Sequence, residues 1–315
     1  MKRDQQIGHF FAKYLEEWEA AVEGYARPEV EKEIKTTTRI LHELDDKSSH
    51  WALSPDAFHL VWHTDIHSAD FEGVRLPYES MIVEYVFDYQ SLGLDKLDVG
   101  EGRDDAPNRF FIMTEMDDSR FVLCSGFKLS PETDPDLPVR WVLCPICLSI
   151  PYTSLENLSA WMTHEKGGFS VNLSGEFCKM HPSMPVYDAA VAEMDDAALR
   201  RSTHDMFDEF RMAVGLLAIL SCNNAPVREV APPEKLNRKR AKSGKKQIPV
   251  YRTLHVTSHQ ERSRTATCGT HASPRTHWRR GHIRNQPTAK GVVRKWIRPM
   301  IIGSGKAELP EIVLT

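Results

Sequence analysis

At 315 residues, with 41% hydrophobic and 27% charged residues, the chain has the make-up of a soluble globular protein with room for one large domain or two ordinary ones. Its formal net charge of −4 hides a segregation: residues 226–306 hold 20 Lys and Arg against three acids, and the remainder holds 20 against 41. No apolar run approaches the ~20 residues of a membrane-crossing helix, and the start, MKRDQQIGHFFAKYLEEWEA, lacks the apolar core and cleavage site of a secretory signal.

Six cysteines are too few for a disulfide scaffold. Without a signal they read as reduced thiols in a cytoplasm. No membrane partner is expected.

In chain order, Phe10, Phe11, Tyr14, Leu15 and Trp18 fall at helical spacing. A second helix is predicted after Pro28, through EKEIKTTTRILHEL. The stretch from Trp51 to Trp62 gives no assignment. In the overlapping AFHLVWHTDIH, His59, His63 and His67 recur every fourth residue, a metal stripe if helical, but β-branched and aromatic neighbours argue against a helix. From Phe71 the pattern turns to β: MIVEYVFDY alternates, RFFIMTEM and FVLCSGF form a hairpin about Asp117-Asp118, and VRWVLCPICLSI reads as a buried strand interrupted by Pro145. A helical hairpin is expected from Tyr187 to Cys222, its last turns apolar enough to be core.

The basic segment begins after Cys222-Asn223-Asn224. Pro232 and Pro233 start a short helix carrying Lys235, Arg238, Lys239 and Arg240, and Gly244 ends it. A strand is predicted from Val250 to Val256. Two more, WRRGHIR and VVRKWIRPMII, are predicted within 278–302, joined by a turn at Asn285 to Gly291. The module has a thin apolar inventory and is expected to lean on the helix ending near Leu220. The expected architecture is α+β: N-terminal helices, a mostly antiparallel sheet with a packed helical hairpin, and a small basic C-terminal β module. The expected division is an acidic body, 1–225, a basic module, 226–306, and a tail, 307–315.

Three chemistries are open to these residues. In HASPRTHWRRGHIR, three histidines and four arginines occur in fourteen residues without an acid. Extended, Arg280, His282 and Arg284 share a face, as do Arg294, Trp296 and Arg298 on the next strand. Pairing would surround a tryptophan with arginines, a surface suited to RNA: guanidinium for phosphate, an indole for an unpaired base. Arg275 and Arg279 extend this candidate surface. The same block holds the elements of metal-free RNA cleavage, with His277 and His282 as base and acid and arginines about the phosphate. Separately, Cys144-Pro-Ile-Cys147 with Cys178 and His181 has the spacing of a structural zinc site, though apolar neighbours equally suit core cysteines. No cofactor is otherwise required.

The segments PPEKLNRKRAKSGKKQIPVYRTLHV, HASPRTHWRRGHIR and VVRKWIRPMIIGSG together resemble the C-terminal block of a family of phage and mobile-element proteins related to an anti-CRISPR inhibitor of type V-A systems. The shared motif falls on His277, Arg279, Arg280, Gly281, His282 and Arg284. The resemblance implies a protein that lowers production of an RNA-guided nuclease. Its basic block would face RNA or the ribosome, and its body would select a target protein or nascent peptide.

Overall fold

The computed structural model describes residues 9–23, 28–87, 107–129, 141–158, 162–165, 168–171, 177–255, 277–279, 281–289, 291–298 and 300–302. Among these the helices are α1 (Phe10–Glu23), α2 (Glu31–Lys47), α3 (Pro55–Trp62), α4 (Tyr152–Glu156), α5 (Asp188–Ala192), α6 (Asp196–Asp205), α7 (Phe207–Leu220) and α8 (Glu234–Lys242). The strands of the body are β1 (Ser49–Ala52), β2 (Thr64–Asp65), β3 (Ser80–Val86), β4 (Asn108–Asp117), β5 (Arg120–Lys128), β6 (Trp141–Pro151), β7 (Met162–Glu165), β8 (Gly168–Val171) and β9 (Lys179–Pro182). The basic segment adds β10 (Val227–Val230), β11 (Tyr251–Leu254), β12 (His277–Arg279), β13 (Gly281–Thr288), β14 (Gly291–Ile297) and β15 (Met300–Ile302). The fold class is α+β, as the sequence predicts.

An eight-stranded sheet, ordered β10-β11-β1-β3-β4-β5-β6-β9, organises the chain. Only the pairings of β1 with β3 and with β11 are parallel. Alternation along each strand sends side chains to two separate cores. Phe111 and Met113 of β4 join Val83 and Tyr85 of β3 and the apolar length of α7 in one. Phe110 and Ile112 join Ile82 and the aromatic face of α1 in the other. Helices therefore cover both faces, α3 and α7 on one, α1 and α2 on the other. This is why MIVEY, residues 81–85, is buried on both sides, Glu84 included.

Local chemistry sets several boundaries. Ser54 caps α3 by accepting from the Ala57 N–H at 3.2 Å, and Pro55 occupies the first turn. The unassigned stretch from Trp51 to Trp62 thus holds the end of β1 and the helix α3. His59 and His63 stack with ring centroids 5.9 Å apart, whereas His67 lies beyond the helix. Between β5 and β6 the register shifts between Cys124 and Gly126, opposite the turn of chain that contains Pro145. The ladder thereby absorbs a residue that cannot donate. Gly126 faces Phe110, and a Cβ there would lie 2.2 Å from the ring. The predicted helical hairpin is divided into α5, α6 and α7.

The expected boundary at 225/226 falls between α7 and β10. Beyond it, β10 and β11 complete the edge of the main sheet, with β11 lying between β10 and β1. β13 pairs with β14 and, in parallel, with β2. Ile283 and Trp296, at 7% and 2% exposure, join the core against α7. Asn224, just past that helix, accepts from the Trp296 N–H at 2.8 Å and donates to its carbonyl at 3.0 Å. The basic strands lean on the end of α7.

Candidate functional site

The basic helix α8 has two differently used sides. Gly244, at φ +68°, ends it in the left-handed region that favours glycine, and the Lys245 N–H bonds back to the Arg240 carbonyl at 2.9 Å. The Asn237 amide holds the returning chain, donating to the Ile248 carbonyl and accepting from its N–H. Lys246 is thereby placed 2.5 Å from Asp45 and 2.6 Å from Asp46 at the end of α2. Arg240 lies 3.8 Å from Glu16 of α1. These two cations bind the helix to the acidic body. Lys235, Arg238, Lys239 and Lys242 recur at helical spacing on another side and are exposed. Arg238 pairs within the helix with Glu234 at 3.0 Å. Among the described residues the three lysines have no carboxylate partner.

The β13–β14 hairpin corrects the expected arginine-and-tryptophan surface. Its register pairs Ile283 with Trp296 and Arg284 with Lys295. Arg294, Trp296 and Arg298 therefore share the inward face with Ile283, while His282 and Arg284 lie on the opposite face. Trp296 is core, its indole N–H donating to Thr64 Oγ1 at 3.3 Å, and offers no exposed face to a base. Arg294 donates to the Glu72 carbonyl, and the Arg298 guanidinium lies 5.7 Å from the Trp296 ring. His282 is half-buried, paired in register with Asp65 of β2. His277 and Arg279 belong to β12, which pairs with β15. Arg275 and Arg280 lie outside the described residues.

The hairpin and α8 also stand on different layers. The hairpin packs on the α3–α7 side through Trp296, and α8 is tied to α1 and α2. A single continuous basic face is therefore not what these contacts build.

The cysteine tetrad is corrected too. Cys144 and Cys178 belong to the core on the α7 side, and Cys147 belongs to the opposite core with its cross-strand partner Cys124. His181 pairs with Cys147 in register but its side chain is exposed. Residues on two faces of a sheet cannot converge on one tetrahedral ion. Among the described residues no group of three or more metal-binding side chains assembles. Burial pushes the Cys178 thiol up to about 12, the behaviour of a core thiol.

One cluster escaped sequence reasoning. Glu84, 2% exposed, points from β3 to the start of α1, where its Oε1 accepts from the Phe11 N–H at 3.1 Å. Tyr251 of β11 donates to the same oxygen at 3.2 Å, and the His9 imidazole lies 3.3 Å from that phenol. A carboxylate from a distant strand thus caps a helix that has His9, at φ +52°, before it. Burial nonetheless pushes Glu84 up to about 7. The signal was a lone acid in an apolar strand. On the α7 face, Arg109 lies 2.9 Å from Glu209, which also accepts from Tyr85 at 3.2 Å.

With this geometry in view, a sequence model of the anti-CRISPR type V subtype A2 family (AcrVA2-like) matches residues 51–304. The chain belongs to that family. The match to the anti-CRISPR type V subtype A2 family starts within β1, runs through both basic elements and ends just past β15; α1 and α2 lie before it. Membership supports an anti-CRISPR function for a phage or mobile-element protein. Neither the curated proteins nor the solved structures gave a match. No helix among the described residues is long and apolar enough to cross a membrane.

Proposed function

We propose that this anti-CRISPR protein lowers expression of a type V-A target, binding a protein or nascent peptide through its acidic body and RNA or the ribosome through its basic segment. The observation that carries the RNA half is the division of labour between α8 and the chain that returns from it. Arg240 and Lys246 are spent on Glu16, Asp45 and Asp46, and the exposed row of Lys235, Lys239 and Lys242 has no carboxylate partner among the described residues. A row of ammonium groups on a fixed helix suits a phosphate backbone and gives sequence-independent affinity. Specificity then falls to the body, whose partner selects the message.

The test is co-expression with a type V-A nuclease whose message and protein are both measured. Wild-type protein should lower both, and the Lys235→Ala, Lys239→Ala, Lys242→Ala triple variant should leave both near the control level. Unchanged message and protein alongside blocked nuclease activity would contradict the reading. Purified protein incubated with RNA should return it intact; cleavage lost in His282→Ala would replace binding by ribonuclease action.

A further inference from the structure

Arg284 and Lys295 are direct cross-strand partners, and both are exposed. The outward hydrogen bonds of β14 fall at Arg294 and Trp296, whose backbone groups meet Asn223 and Asn224. Lys295, between them, turns its backbone toward β13. The two Cβ atoms of such a pair sit roughly 5 Å apart. Like charges directly opposite destabilise a hairpin, and neither cation has a carboxylate partner among the described residues. The same face carries His282 and Gln286 on β13, Val293 and Ile297 on β14, and one acid, Asp65 of β2, in register with His282 two positions from Arg284. The opposite face holds the buried Ile283 and Trp296, which fix the outward direction. Gly291, at φ +113°, closes a two-residue turn and keeps the strands in register.

We propose that Arg284 and Lys295 form a phosphate-binding site on the outer face of the hairpin. A phosphate group between them would accept from the guanidinium and the ammonium at once and turn their repulsion into shared attraction. Gln286, next on the same face, supplies an uncharged donor. The ligand class is a phosphate oxyanion, whether free or part of a nucleic-acid backbone. The site extends the nucleic-acid reading without depending on α8, which is fastened to the other layer of the molecule.

The full-length protein is titrated with pyrophosphate at low ionic strength, following its melting temperature and its binding isotherm. Wild-type protein should bind and melt higher with ligand. Arg284→Gln and Lys295→Gln should each weaken binding at least tenfold without lowering the unliganded melting temperature. Lys295→Glu should raise the unliganded melting temperature, by making an Arg–Glu pair, and abolish the ligand shift. Lys35→Gln, a surface change on α2, should bind as wild type. A second titration with RNA separates the sources: weaker RNA binding in both Gln variants marks the backbone of a nucleic acid, and loss of pyrophosphate binding alone marks a free phosphate. Equal pyrophosphate affinity in wild type and both Gln variants, or none in wild type, overturns the proposal. Loss of message reduction in the α8 triple variant with pyrophosphate binding retained would leave this site standing apart from α8.

Discussion

Glu84 is the residue on which pH acts most directly. Its folded value of about 7 stands above the 4.5 of an unperturbed carboxyl because burial penalises the anion more than the Phe10, Phe11 and Tyr251 donors favour it. A raised carboxyl makes the folded state bind more protons than the unfolded chain between these values. Its stabilisation is complete below about pH 4.5 and is lost as pH rises through about 7. The shift corresponds to something of order 3 kcal/mol. His9 and His50 are both lowered by burial and act oppositely: their contribution is lost as pH falls through the ordinary histidine range. Lys13, near Glu84, and Asp45 and Lys246, near His50, also face this cluster. The expected outcome is that Glu84→Gln, which keeps both acceptor bonds, loses the decline in stability between pH 5 and pH 8 that wild type shows. Denaturant midpoints measured across that range check it, and parallel curves for the two proteins would remove the role assigned to Glu84.

At the scale of elements, the hairpin is held by what it buries. Trp296→Ala removes an indole that is 2% exposed and leaves Thr64 Oγ1 without its donor. The expected loss is about 3–5 kcal/mol, read by chemical denaturation, with a loss below 1 kcal/mol contradicting the core assignment. The same hairpin shows what a sequence can and cannot convey. Alternation in GHIR placed Ile283 opposite His282 and Arg284 in facing, because period two is local. It could not give the register with the next strand, and the register decides that Trp296 faces the core with Ile283 while Lys295 stands beside Arg284. For CPIC, spacing matched a metal site, yet the register shift opposite Pro145 and the two-faced burial of β6 send the cysteines apart. The helices α1, α2 and α7 and the β4–β5 hairpin were legible because each carries its own periodicity and turn residues. The parallel seating of β11 beside β1 was not, since nothing in YRTL names a partner 200 residues away.

For the whole molecule, the question is what an acidic body gains from a segment with 20 cations and three acids. Part of the answer is adhesion: Arg240 and Lys246 each meet carboxylates of α1 or α2. These are surface or half-buried pairs, worth little individually, so adhesion alone accounts for few of the cations. Among the exposed cations of the described residues, Lys235, Lys239 and Lys242 on one layer and Arg284 and Lys295 on the other present positive charge on two sides of one protein. Such a distribution favours an extended polyanion over a small one, and its binding must be steeply salt-dependent. The most direct measurement is the affinity of the full-length protein for RNA as salt rises, for wild type and the Lys235→Ala, Lys239→Ala, Lys242→Ala variant. The account predicts a linear fall of log affinity with log salt, with a slope shallower by about 2–3 in the variant. A wild-type affinity that is undetectable or indifferent to salt would contradict it.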